Sequence, residues 1–278
     1  MSEHTFIAYQ GDLQQFSDFL QQQFELNEAE AVKHIHIRSW LAQMKEDGQH
    51  ERTLQRKVSS VKSLFKYLLR LGLVEQNPTR LVVTPKAPKR LPVFLEETQT
   101  VLIENISAYP EGFEGNTERL VMEMLYQCGM RRAELIGLKE TDIEFSRKQI
   151  RVLGKRNKER MIPVSDAMLI DIRHYMDDKK RIFEQPSAYL LCLESGAPLY
   201  PNYVYRIVKK HLKNVTTLVK KSPHVLRHTF ATQLSNNGAD LNAIKELLGH
   251  SSLAATQIYT QTNINHLKEV YRKAHPKS

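Results

Sequence analysis

The sequence predicts a mostly α-helical protein in two domains, a small all-α one and a larger α-rich one with a small antiparallel β-sheet. Three observations predict it. Apolar residues recur at three- and four-residue steps through most of the chain. One proline-spaced basic segment, residues 84–94, interrupts that pattern. One stretch near residue 150 changes to branched apolar residues on either side of a basic turn.

Taken in order, residues 5–23, 32–46 and 51–71 read as amphipathic helices. In the third, Leu54, Val58, Val61, Leu64, Phe65, Leu68 and Leu69 form the apolar face, and Arg52, Arg56, Lys57, Lys62, Lys66 and Arg70 the opposite one. A short helix is expected near Asn77–Arg80. Then "TPKAPKRLPVF" sets Pro85, Pro88 and Pro92 among Lys86, Lys89 and Arg90, which forbids a helix and favours an extended, basic strap. It divides the chain into residues 1–83, the linker 84–94 and residues 95–278. "LEETQTVLIENI" and "TERLVMEMLYQCGMRRAELIGL" read as helices. Residues 150–153 and 161–164 read as a hairpin whose loop, Gly154 to Arg160, holds Lys155, Arg156, Lys158 and Arg160 against Glu159 alone. Residues 165–275 are mostly helical, broken at "EQPSAYLLCLESGAPLYPN" and "LLGHSS".

Composition narrows the function classes. The 278 residues carry 40 Lys and Arg against 31 Asp and Glu, a net charge of +9, which points to a polyanionic partner. Placement says more than the total. Residues 1–30 hold six acids and no Lys or Arg, whereas residues 31–88 hold eleven cations against four acids. No acid occurs from Ser195 to Ala239, where Arg206, Lys209, Lys210, Lys213, Lys220, Lys221 and Arg227 stand. A solvated face normally mixes signs, so this gap suits a phosphate backbone. No run of eighteen apolar residues exists to span a membrane, and the start "MSEHTFIAYQGDL" lacks the cations and apolar block of a secretory signal. The two cysteines, Cys128 and Cys192, have no metal or disulfide spacing, and a reducing cytoplasm is the expected compartment.

The segment "SPHVLRHTFATQL" places His224, Arg227 and His228 on one helical face. Such a face can hold a metal, hold a phosphate, or simply pack. Three other fragments, "CGMRRAEL", "LGKRNKERMIPV" and "LLGHSSLAATQIYT", decide between them. Together the four supply Arg131, Lys155, His224, Arg227, His250 and Tyr259, and no carboxylate cluster suited to magnesium accompanies them. The set suits phosphoryl transfer by side chains alone. Two guanidiniums match the non-bridging oxygens of a phosphodiester under attack and stabilise their growing charge. A phenol can be the nucleophile if a cation or base lowers its pKa from about 10. A lysine on a hairpin can protonate the departing oxygen.

The four fragments resemble the tyrosine site-specific recombinase (phage integrase) family, most of all its simple Xer-type members. The resemblance implies an N-terminal core-binding, SAM-like domain over residues 1–83 and a catalytic domain over 95–278. It makes Arg131 the first arginine, Lys155 the hairpin lysine, His224 and Arg227 the H-x-x-R pair, His250 the second histidine and Tyr259 the nucleophile. Glu134 matches the acid that supports the first arginine. Arg52, Arg56, Lys57, Lys86, Lys89, Arg90, Arg156, Lys158, Lys220 and Lys221 are the expected DNA-contacting cations. "SEHTFIAYQGDLQQFSDFL", "NPTRLVVTPKAPKRLPVFL" and "NINHLKEVYRKAHPKS" extend the resemblance over nearly the whole chain. Departures are confined to Met130, Arg132 and Ala133 beside the first arginine, "TQTN" after Tyr259, and a start later than the family's usual one.

What the resemblance implies is strand exchange through a 3′-phosphotyrosyl link and a Holliday junction, with no metal and no cofactor. The expected partners are double-stranded DNA with a short palindromic core site, a homo- or heterotetramer with a second recombinase, and a DNA translocase. No membrane is involved. Chromosome dimer resolution is the leading role, since no arm-binding domain precedes residue 1. Integration of a mobile element or prophage, a type IB topoisomerase, and a DNA-binding regulator without catalysis are the alternatives.

Overall fold

The structure is a computed structural model and describes residues 3–84, 94–103, 109–154, 158–216 and 221–249. Of the expected site residues, Lys86, Lys89, Arg90, Lys155, Arg156, Lys220, His250 and Tyr259 lie outside these. The chain divides into two compact units, Met1–Leu91 and Pro92–Ser278. The architecture is the mostly helical one expected, with a single small sheet among the described residues.

The first unit holds α1 (Glu3–Phe24), α2 (His34–Glu46) and α3 (Glu51–Arg70), with 3-10 turns at Ala29–Ala31 and Pro78–Leu81. The predicted apolar stripe of α3 packs inward except at Leu69, which is exposed; Leu54, Val58, Val61 and Phe65 are buried against Phe16, Ile37 and Trp40. Burying a side chain of this size stabilises by about 1.5–3 kcal/mol relative to leaving it in water, so the stripe fixes the rotation of α3. One expectation is corrected. Lys57 is not on the exposed face: it is 5% exposed. Its Nζ donates to Gln15 Oε1 and lies 5.9 Å from the Trp40 ring centre.

The second unit begins its described helices with α4 (Glu97–Ile103) and α5 (Phe113–Gln127). α5 is buried along most of its length and packs against four later helices, so it is the axis of this unit. Its last turn ends at Cys128, and Gly129 then takes a φ of +57° that non-glycine residues rarely adopt. That break restarts the chain as α6 (Arg132–Ile136) instead of continuing one helix.

The sheet runs β1 (Ile143–Glu144), β2 (Gln149–Leu153) and β3 (Glu159–Pro163), antiparallel in sequence order. The register pairs Ile150 with Ile162, Val152 with Arg160 and Leu153 with Glu159. The hairpin is therefore longer than expected, and Arg160 belongs to a strand, not to the loop. Its side chain is 4% exposed because Glu134 meets it in the interior. Gly154 N–H donates to Lys158 O at 2.7 Å and closes the ladder below the tip.

The remaining helices are α7 (Asp166–Ile182), α8 (Pro201–Val215), α9 (Pro223–Asn236) and α10 (Leu241–Leu248). Each start has a readable cause. Ser165 accepts from Met168 N–H at the head of α7, Pro201 and Pro223 occupy first-turn positions of α8 and α9, and Asp240 accepts from Asn242 and Ala243 N–H before α10. α5 packs on α7, α8 and α9. Phe230 and Leu234 of α9 form a separate small core with Ile244 and Leu247 of α10.

Candidate active site

Arg131 sits immediately before α6, delivered there by the Gly129 break. Glu134, one turn on, reaches back: its Oε2 accepts the Arg131 backbone N–H at 2.8 Å and its Oε1 accepts Arg131 Nη1 at 2.7 Å. From the other side Arg160 forks onto the same carboxylate, Nη1 to Oε1 at 2.9 Å and Nη2 to Oε2 at 2.8 Å. Burial alone would raise the Glu134 pKa, but the hydrogen bonds and charges of Arg160 and Arg131 hold it below its ordinary value. Glu134 is thus an ionised, buried post that orients Arg131.

The segment His224–His228 lies on α9 as its spacing requires. Arg227 is buried, while His224 and His228 are exposed. Arg227 Nη1 donates to Gly129 O at 2.6 Å and Nη2 to Leu248 O at 2.5 Å. The guanidinium therefore ties the loop before Arg131 to the end of α10. The last carbonyls of a helix lack intrahelical partners and carry its negative pole. Here three arginines take three consecutive ones: Arg160 Nε donates to Leu247 O at 2.8 Å, Arg227 to Leu248 O, and Arg131 Nη2 to Gly249 O at 3.2 Å.

The charges do not balance. Three guanidiniums converge and one carboxylate, Glu134, meets them. Burial first, and then the repulsion of Arg131, pushes Arg227 down to about 10, although Glu134 pulls the other way. Partial burial lowers His224 below 6.5, and its neighbours His228, Arg227, Arg132 and Arg131 lower it further. An arrangement that opposes its own cations is one that an anion relieves. Among the described residues no group of three or more His, Cys, Asp or Glu side chains gathers as it would to hold a metal.

The structure brings together Arg131, Glu134, Arg227 and His224, and it places Lys158 at the exposed rim of the hairpin and Lys221 at the entry to α9. Arg52 and Arg56 are exposed on α3 in the other unit. Of the tyrosines that rival Tyr259, Tyr203 is poorly suited to attack. Tyr203 donates to Glu114 and is pushed up to about 12, by burial and by that carboxylate. The Tyr200 hydroxyl accepts from Arg206 Nη2 at 2.6 Å. Sequence reasoning missed Arg160. The signal was its period-two spacing from Ile162, which puts it on the inward face of β3.

The sequence profile of the phage integrase family matches residues 94–266, and that of the phage integrase N-terminal SAM-like domain matches residues 1–72. The chain belongs to the phage integrase family. Among curated family members it is 39% identical to a tyrosine recombinase XerC of Pelobacter propionicus, over 100% of this chain and 91% of that protein. It is 34% identical to a tyrosine recombinase XerD of Halalkalibacterium halodurans, over 100% of this chain and 93% of that one. The phage integrase fold is shared with the solved XerH site-specific recombinase bound to a palindromic difH substrate, at a TM-score of 0.74 and 22% identity over 94% of this chain and 77% of that one. By family the protein is a tyrosine recombinase, an enzyme of site-specific DNA cleavage and rejoining.

Proposed function

We propose that the protein is an Xer-type site-specific recombinase whose phosphate clamp is built from Arg131, Arg227 and His224. The surplus of positive charge around one ionised carboxylate carries this reading. In it, the Tyr259 phenol attacks the scissile phosphorus. A Tyr259 O–P bond forms as the bond to the 5′-oxygen breaks; His224 takes the phenol proton, and Lys155 gives the departing 5′-oxygen one. Arg131 and Arg227 hold the non-bridging oxygens, and His224 and His250 complete the cradle. The phosphotyrosyl link conserves the bond energy, so a 5′-hydroxyl from a partner duplex reverses the step without ATP or metal.

Residues 1–83 act as the core-binding domain, 84–94 as the linker and 95–278 as the catalytic domain. Arg52, Arg56, Lys86, Lys89, Arg90, Arg156, Lys158, Lys220 and Lys221 follow the DNA backbone. Lys57 is left out because it is buried. The protein works in the cytoplasm as a tetramer on paired palindromic sites, alone or with a second recombinase, under a DNA translocase. No helix among the described residues is long and apolar enough to cross a membrane.

Covalent trapping tests this. Wild type and Tyr259→Phe are incubated, with EDTA, on nicked duplexes carrying palindromic sites from the host chromosome and from mobile elements. A denaturation-resistant protein–DNA adduct from wild type alone is the expected result, and the reactive duplex separates chromosome resolution from integration. Tight binding with no adduct on any duplex, alone or with a second recombinase, overturns the enzymatic reading in favour of a DNA-binding regulator.

A further inference from the structure

Arg160 has no part in the chemistry just described, yet it is almost wholly buried and all of its guanidinium nitrogens are engaged. Its partners lie on two separate parts of the chain, Glu134 of α6 and Leu247 O at the end of α10. Two glycines also close around it. A Cβ on Gly249 would stand 3.1 Å from Arg160 Cδ and 3.3 Å from Nη1, at a φ of +61° that itself favours glycine. A Cβ on Gly154 would stand 3.8 Å from Arg160 Nη1 and 3.9 Å from Glu134 Oε1. The chain neighbours of these contacts matter. Gly154 precedes Lys155 and Gly249 precedes His250 in sequence. Glu134 holds Arg131 by two hydrogen bonds. One side chain therefore bonds to Glu134, which holds Arg131, and lies beside Gly154 and Gly249, the residues that precede Lys155 and His250 in sequence.

Burying an arginine is costly unless every donor is met, and a merely packed strand would place an apolar residue there, as Ile162 two positions on does. The rigid fork of a guanidinium gives what an apolar side chain or a lysine cannot: planar, bidentate alignment of the Glu134 carboxylate plus a third bond at right angles to it in role, to α10.

We infer that Arg160 is the positioning residue that holds the hairpin and the end of α10 in register with Arg131, so that the groups on all three reach one phosphate together. This rests on the recombinase reading above. The substitutions are Arg160→Lys, which keeps the charge and loses the fork, and Arg160→Met, which keeps the bulk and loses both. On the nicked duplex that wild type cleaves, single-turnover adduct formation at saturating DNA falls about 100-fold in each, the cost expected of misplacing reacting groups by about 1 Å. Binding to the same duplex, read by anisotropy, stays within about threefold because the exposed phosphate-contacting cations are untouched.

The pH profile separates positioning from simple loss of fold. In Arg160→Met the Glu134 carboxylate loses its stronger partner and faces only Arg131 directly, with Arg227 beyond. It then takes up a proton at higher pH, releases Arg131, and cleavage falls as pH falls through that range. Adding Glu134→Gln to Arg160→Met removes this acid limb. Three results overturn the inference while leaving the recombinase reading intact: Arg160→Lys cleaving as fast as wild type, binding and cleavage lost together, or a profile in Arg160→Met parallel to that of wild type. A wild type that forms no adduct overturns the recombinase reading itself.

Discussion

Two buried carboxylates, one in each unit, gather cations in different numbers. Asp12 on α1 is 3% exposed and receives Arg56 and the Ser60 hydroxyl, the latter at 2.8 Å. The adjacent Lys57 turns away to an amide, Gln15. Here one guanidinium faces the acid directly, and the Lys57 ammonium, whose pKa burial lowers although Asp12 pulls the other way, takes a neutral acceptor; together they pin α1 to α3. Glu134 also pins elements together, but around it the cations outnumber the acid. Arg131, Arg160 and Arg227 converge, and Arg227 has only carbonyls to answer it. Arginine–carboxylate clusters are therefore not diagnostic of a site by themselves. Both clusters hold a cation lowered by burial, Lys57 in the first and Arg227 in the second; what marks the second is that three guanidiniums converge there on one carboxylate with His224 beside them.

Four substitutions break or sharpen that contrast, in falling order of effect. Arg227→Lys loses the fork that spans Gly129 O and Leu248 O and the bidentate hold on phosphate, and cleavage falls by about 100- to 1,000-fold in single-turnover trapping. Near-normal cleavage would mean the surplus charge has no chemical use. Next, Glu134→Gln leaves Arg160 buried without a counter-ion and costs about 3 kcal/mol in urea unfolding. Asp12→Asn costs only about 1 kcal/mol, because the Arg56 side chain is 45% exposed and water takes over. Equal losses would erase the distinction between the clusters. The smallest effect concerns His224. Its folded pKa lies below 6.5, so on acidification the unfolded chain takes up the proton first. Stability is then lost as pH falls from about 6.5 through the lower folded value, and His224→Asn removes that part of the slope in melts between pH 7.5 and 5. Sulfate or duplex DNA raises the His224 pKa in NMR titrations; no shift on binding would detach His224 from the anion site.

How much of this was legible in the sequence varies with the kind of signal. The apolar stripe of α3 was readable because helical periodicity encodes burial directly, and the hairpin was readable from its branched residues. Arg131, His224 and Arg227 were readable as chemistry because their types and order point to phosphate. Arg160 was not. A buried arginine looks like a loop cation until its acid, 26 residues away in sequence, is brought to it by the fold. Lys57 failed for the same reason in reverse: its position read as solvent-facing, and Gln15 and Trp40 took it inside. Nor does a sequence show that carbonyls of Leu247, Leu248 and Gly249 will stand in as acceptors, since backbone groups carry no letter.

The turn at Gly129 bears on how this chain can drift over generations. A methyl group there would approach Phe230 Cδ1 to 2.5 Å, inside the small core that seats α10, and would sit on a backbone angle hostile to side chains. Its neighbours are under looser control. Met130 is fully buried and tolerates any apolar side chain of its volume, while Ala133 faces solvent. The motif around Arg131 is thus free to vary at Met130 and Ala133, and held at the one atom-poor residue that lets two cores come close enough to share an arginine.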